Sequence, residues 1–69
     1  MSKIEIIVNG EPRRFEAPAT AADLLRQLGL DPRTVVVELN RQIVRRPQLD
    51  QADLADGDTI ELVHFVGGG

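Results

Sequence analysis

Three consecutive glycines, Gly67, Gly68 and Gly69, follow the apolar pair Phe65 and Val66 at the end of the sequence. Glycine has no Cβ, so such a run is thin and conformationally free. It can enter a channel too narrow for any side chain. Nothing then shields the carbonyl carbon of Gly69 from attack. A terminal α-carboxylate has an unperturbed pKa of about 3.5 and is ionised at neutral pH. In that form it is an oxygen nucleophile that can attack the α-phosphate of ATP held by an activating enzyme. The acyl-adenylate so formed carries a good leaving group. A cut linker or an expression scar would share the glycines. A solvated linker, however, more often carries serine or polar residues and does not follow a strand-like run so directly.

The other candidates for chemistry are sparse. There is no cysteine. That excludes disulfides, thiolate zinc sites, cysteine nucleophiles and persulfide carriage on a side chain. His64 is the single histidine. No Asp or Ser pattern accompanies it, so a surface or partner contact is preferred to catalysis. Asp56, Gly57 and Asp58 read as a turn and not as a metal loop, because no ligand series surrounds them. The pairs Arg13–Arg14 and Arg45–Arg46 could hold an anion. Solvated edge positions or contacts to an acidic partner are the preferred reading. No nucleophile–base pair is visible, so the chain is not expected to be an enzyme, and no metal site is expected.

Composition narrows the class further. A chain of 69 residues is one domain that buries only about 60% of the surface it would expose unfolded. The net charge is -3 and the two phenylalanines are the only aromatic residues. A nucleic-acid binder needs a basic footprint and stacking platforms, and neither is present. The N-terminal residues lack the apolar h-region of a signal peptide. No segment reaches the roughly 18 apolar residues of a membrane span. A cytoplasmic protein is the expectation.

The elements that must position the tail follow from periodicity. In residues 3–9, Ile4, Ile6 and Val8 alternate with Lys3, Glu5 and Ile7, a strand with one strongly apolar face. Asn9-Gly10 is a hairpin signal. Residues 13–17 continue as an edge strand with Phe15 inward, because Pro12 removes a ladder donor, and Pro18 stops it. Thr20-x-x-Asp23 reads as a capping box that opens a short helix over residues 21–28. Leu24, Leu25 and Leu28 share one face, and Gly29 with Leu30 closes the helix. Residues 31–33 make a turn. A β-branched strand over residues 34–39 then puts Val35, Val37 and Leu39 inward. Asn40-Arg41 turns into a short strand at residues 42–44. Residues 45–58 form an irregular crossover with a single helical turn, anchored by Leu49 and Leu54. The last strand covers residues 59–65, with Ile60 and Leu62 inward. One helix must therefore cover one face of a mixed sheet of four to five strands. The first and last strands are expected adjacent, parallel and central. Ile7, Val63 and Phe65 fall on the opposite parity, and adjacent central strands would gather them into one exposed apolar partner surface. The domain is taken as residues 1–66 and the flexible glycine tail as residues 67–69.

Two stretches, "ELNRQIVRR" at residues 38–46 and "LADGDTIELVHFVGGG" at residues 54–69, together with the length, resemble the ThiS family of sulfur carriers in thiamine biosynthesis. The C-terminal stretch is the specific part; the N-terminal half offers pattern only. The resemblance implies an α+β, ubiquitin-like β-grasp fold. It implies that a ThiF-type adenylyltransferase uses ATP to adenylate Gly69, with Val66, Gly67 and Gly68 entering the partner's active site. Sulfur from a sulfur-donor protein then replaces an oxygen, and a ThiG-type thiazole synthase takes it from the thiocarboxylate. No cofactor is implied for the chain itself. Gly67 is one glycine more than the minimal Gly-Gly ending of ubiquitin-like carriers, which should add reach and no new chemistry. The alternatives are the small subunit of molybdopterin synthase, with the same carrier chemistry, and a β-grasp binding module with an inert tail.

Overall fold

The computed structural model describes residues 2–65; Val66, Gly67, Gly68 and Gly69 lie outside the described residues. The elements are β1 (Ser2–Val8), β2 (Glu11–Ala17), α1 (Ala21–Leu28), β3 (Val35–Leu39), β4 (Gln42–Val44) and β5 (Thr59–His64). Short 3₁₀ segments sit at Pro32–Thr34 and Arg46–Gln51. The strands form one mixed sheet in the order β2-β1-β5-β3-β4, and α1 covers one face of it. This is the layering that the alternation predicts.

Local chemistry sets each connection. A two-residue hairpin matches the twist of its strands when both central residues take positive φ. Asn9 and Gly10 do so at 50° and 83° between β1 and β2, and Asn40 and Arg41 at 50° and 72° between β3 and β4. The helix is defined at both ends. The Thr20 hydroxyl accepts from the Asp23 N–H at 3.2 Å, and an Asp23 carboxylate oxygen accepts from the Thr20 N–H at 2.9 Å. At the other end Gly29 has φ 72°. Its N–H donates to the Arg26 carbonyl, and the Leu30 N–H reaches back to the Leu25 carbonyl at 2.9 Å. That bonding pair satisfies carbonyls the last turn would leave unpaired.

The core lies between α1 and the sheet. Ile6 and Ile60 are fully buried at the centre, with Leu24 and Leu25 descending from the helix. Phe15, Val35, Val37 and Leu62 complete the sheet side, while Leu49 and Leu54 pin the crossover as anticipated. The crossover is also bonded to the start of the helix. The Ala21 N–H donates to the Ala52 carbonyl and the Leu54 N–H to the Ala19 carbonyl, each at 2.9 Å.

β1 and β5 run parallel, and their regular register holds only two pairs, Ile7 with Thr59 and Val8 with Ile60. The ladder is lengthened below by the turn before β5. There the Gly57 N–H donates to the Glu5 carbonyl at 2.8 Å, and Asp56 Oδ1 accepts from the Glu5 N–H at 2.7 Å. The turn at residues 56–58 therefore acts as an extension of the sheet.

Thr20→Ala should lower the free energy of unfolding by about 1 kcal/mol, read from the denaturant midpoint; an unchanged midpoint would remove Thr20 as the cap. The Asp23 carboxyl is held below its ordinary value of 3.8, first by the Thr20 N–H and then by the Arg26 guanidinium. A depressed native pKa contributes stability above the unfolded value and loses it as pH falls through the native one. Asp23→Ala should therefore destabilise at neutral pH, and the gap to wild type should close in acid below pH 3.8.

Candidate functional site

β5 ends at His64, shortly before the glycines in the sequence, and the surroundings of that end are built from both halves of the chain. β1 stops at Val8, where the hairpin turns away, and β5 runs on through Glu61–His64. Among the described residues no backbone strand pairs with β5 on that side beyond Ile60, and Asn9 takes the place of one. Its N–H donates to the Ile60 carbonyl at 2.9 Å. Its Oδ1 then accepts from the Leu62 N–H at 2.7 Å, and its Nδ2 donates to the Leu62 carbonyl at 3.3 Å. The side-chain amide thus serves as one more peptide unit of the ladder. On the other side β3 pairs along the whole strand, from Leu39 opposite Ile60 to Val35 opposite His64. The Phe65 N–H adds a bond to the Thr34 carbonyl at 3.1 Å. The backbone is held from two sides as far as Leu62 and from the β3 side as far as Phe65.

Alternation divides the side chains around this point. Val63 and Phe65 face solvent, 55% and 44% exposed. Ile7 does not join them. It is half-buried and lies opposite Pro12 and Thr59. Val63 is four residues farther along β5, about 13 Å at the strand rise. The expectation of one patch of Ile7, Val63 and Phe65 is corrected by the parallel register, which ends before β5 does. Val36, directly opposite Val63, takes the place of Ile7. It is 36% exposed, and Ile43 on β4 is 61% exposed. Val36, Ile43 and Phe65 line one shallow groove. The parity that puts Val35, Val37 and Val44 inward also turns Val36 and Ile43 outward, so this signal was present in the sequence. Beside the patch, Glu38 and Glu61 oppose each other across β3 and β5.

The remaining candidates have structural places. His64 is exposed and shares a groove on the helix side with Leu28 and Leu30. Asp56 and Asp58 accept from backbone N–H groups of Glu5 and Ala55, and Asp58 also accepts from the Asn40 amide. Among the described residues no group of three His, Asp or Glu side chains is placed to hold a metal. Arg13 pairs with Glu11 on the edge strand, and Arg14 lies opposite Glu5. Among the described residues no helix is long and apolar enough to cross a membrane.

Residues 6–69 match the family model for ThiS. The chain is 44% identical over 63 residues to the sulfur carrier protein ThiS of Bacillus subtilis, covering 90% of this chain and 96% of that one. It is also 44% identical over 66 residues to a thiazole synthase of Paramagnetospirillum magneticum. This alignment takes in 96% of the chain but 20% of that relative, so the chain spans about a fifth of the length of that longer protein. The crystal structure of a ThiS thiamine biosynthesis protein from Geobacter metallireducens superposes with a TM-score of 0.81. The two are 32% identical, over 96% of this chain and 100% of that one. The β-grasp architecture expected from the sequence is thereby shared with a solved relative.

Asn9→Gly keeps a residue suited to positive φ but deletes both bonds to Leu62, and should cost about 1–2 kcal/mol. Asn9→Ala should cost about 1 kcal/mol more, because a Cβ at positive φ is strained. Hydrogen exchange at the Leu62 amide should accelerate in both variants. A Gly variant as stable as wild type, with unchanged exchange, would remove the amide as a ladder element.

Proposed function

The chain belongs to the ThiS family, and from that premise we propose that it carries sulfur on the carboxylate of Gly69 for thiazole formation in thiamine biosynthesis. The observation that carries the reading is the reach of the family match, which runs to residue 69 and takes in all three glycines. The relatives named sulfur carrier protein and thiazole synthase support the same direction.

The chemistry is performed on this chain by partners. A ThiF-type adenylyltransferase holds ATP, and a Gly69 carboxylate oxygen attacks the α-phosphorus. The bond to the β-phosphate breaks, pyrophosphate leaves, and an acyl-adenylate remains. A sulfide-level nucleophile from a sulfur-donor protein attacks the acyl carbon, and AMP departs with the oxygen that joined it. The product is a thiocarboxylate, which gives its sulfur to a ThiG-type thiazole synthase. The chain contributes no general acid or base. It supplies a carboxylate, a thin approach through Val66, Gly67 and Gly68, and a docking face. The need for ATP and for these enzymes puts the reaction in the cytoplasm.

The docking face is the solvent side of β3 and β5, centred on Val63 and Val36 with Phe65 and Ile43 beside them. Exposed apolar side chains gathered at one place mark interaction surfaces. Val63 is 55% exposed, so a charge there leaves the core alone.

Val63→Asp should weaken binding to the adenylyltransferase by about tenfold or more, about 1.4 kcal/mol, with melting unchanged. An unfolded variant or unchanged affinity would sink the docking assignment. Tail length provides the second test. Deleting Gly69 withdraws the carboxylate by up to about 3.5 Å, while attack needs near-contact distances of about 3–3.5 Å. Adding Ala after Gly69 overshoots and brings a methyl group into the channel. Neither variant should acquire sulfur by intact mass, and neither should alter melting, since a terminal glycine buries no apolar area. Wild-type rates in both variants would contradict placement of Gly69 by length.

A further inference from the structure

The patch around Phe65 carries a second feature that sulfur carriage does not explain. The groove lined by Val36, Ile43 and Phe65 is also lined by Arg33, Arg45 and Arg46, and among the described residues no carboxylate lines it. The chain has eight basic residues and a net charge of -3, so three arginines at one groove run against its overall balance. Arg33 is already engaged, with its Nη2 2.9 Å from Asp31 Oδ2. Arg45 and Arg46 are exposed, and neither forms an ion pair among the described residues. The charge of Arg46 adds a minor, longer-range attraction to the Asp31 carboxylate, whose main partner is Arg33. Arg45 precedes the 3₁₀ segment without a side-chain cap bond, and Arg46 is its first residue.

We propose that Arg45 and Arg46 form a basic collar that receives an acidic, partly apolar protein segment at the mouth of the partner's channel. The proposal rests on the carrier reading above and names the chemistry of the partner surface. Two arguments fix the occupant. Arginine binds carboxylates in a bidentate, planar fashion, and the apolar floor beside it suits a peptide side chain. Distance argues against the nucleotide as the anion. Residues 66–69 span at most about 14 Å when extended. With Gly69 at the α-phosphate and the tail extended in a narrow channel, the collar stands about that far from the phosphate, on protein. Opposite charges at such a rim accelerate encounter and set orientation more than they add affinity. They orient the domain as its tail enters. Any enzyme that admits this tail presents its rim to the same two arginines.

The test uses the full chain and a ThiF-type adenylyltransferase, with association kinetics measured across a salt series. Wild type is compared with Arg45→Glu/Arg46→Glu, Arg45→Gln/Arg46→Gln and Arg45→Lys/Arg46→Lys. The Glu pair should lower affinity by about tenfold or more, chiefly through a slower on-rate and with a flatter salt dependence. The Gln pair should fall between, and the Lys pair should retain most of the affinity. Melting should be unchanged, and pyrophosphate release at saturating carrier should reach the wild-type rate. A Glu pair that binds like wild type with the same salt dependence overturns the collar. So does binding of ATP alone to the free chain that the Glu pair abolishes, since the anion would then be the nucleotide. A wild-type chain that binds with the expected salt dependence yet never releases pyrophosphate sinks the carrier reading and upholds the collar. One that does not bind at all overturns both.

Discussion

The parallel pairing of β1 with β5 is the constraint on which the rest of the molecule depends. Antiparallel strands can be joined by a two-residue turn, but parallel strands need a long crossover. Here the crossover is most of the chain, since β2, α1, β3, β4 and the 3₁₀ segments all lie between the two central strands. Closing so long a loop costs entropy that only long-range contacts recover. The contacts are few and concentrated. Ile6 and Ile60 are both fully buried, and burying each is worth about 1.5–3 kcal/mol. The regular ladder has two pairs, so borrowed groups complete it. Asp56 Oδ1 stands in for a carbonyl below, and the Asn9 amide stands in for a peptide unit above.

That arrangement determines what surrounds the exit of the tail. Because β1 ends before β5, the last residues of β5 are flanked by β3 on one side and by a single side chain on the other. The outward residues near the exit therefore come from β3, β4 and β5. Val63 meets Val36, with Ile43 and Phe65 nearby, and the arginines after β4 stand at the same end. An apolar centre and a charged margin come together because the antiparallel registers of β3 with β4 and of β3 with β5 share one strand. None of these side chains is needed for the core, which lies on the other face.

Features controlled by neighbours in sequence were legible, and features controlled by register were not. The helix at residues 21–28 could be bounded because Thr20, Asp23 and Gly29 act within a turn of one another. The Asn9-Gly10 and Asn40-Arg41 hairpins were legible for the same reason. Parity within a strand assigned Val35, Val37, Ile60 and Leu62 to the core. Parity alone could not say which outward residues meet. Ile7 and Val63 share a face, yet the offset between β1 and β5 separates them, while Val36 became the neighbour of Val63. The opposition of Glu38 to Glu61 and the two hydrogen bonds between the Asn9 amide and the Leu62 backbone also span long stretches of sequence, and no local pattern announces them. For the site itself, the glycines and the absent cysteine raise the carboxylate chemistry as an expectation, and Gly67, Gly68 and Gly69 lie outside the described residues. The sequence could not set the register that surrounds the exit.

The central claim is that sulfur rides on one specific carboxylate. The direct measurement is fragmentation mass spectrometry of the intact chain after incubation with ATP, a ThiF-type adenylyltransferase and a sulfide source. The account predicts that one oxygen is exchanged for one sulfur and that only fragments containing Gly69 carry the change. A sulfur gained on any fragment lacking Gly69, or no exchange in a reaction where a Bacillus subtilis ThiS control acquires it, would contradict the account.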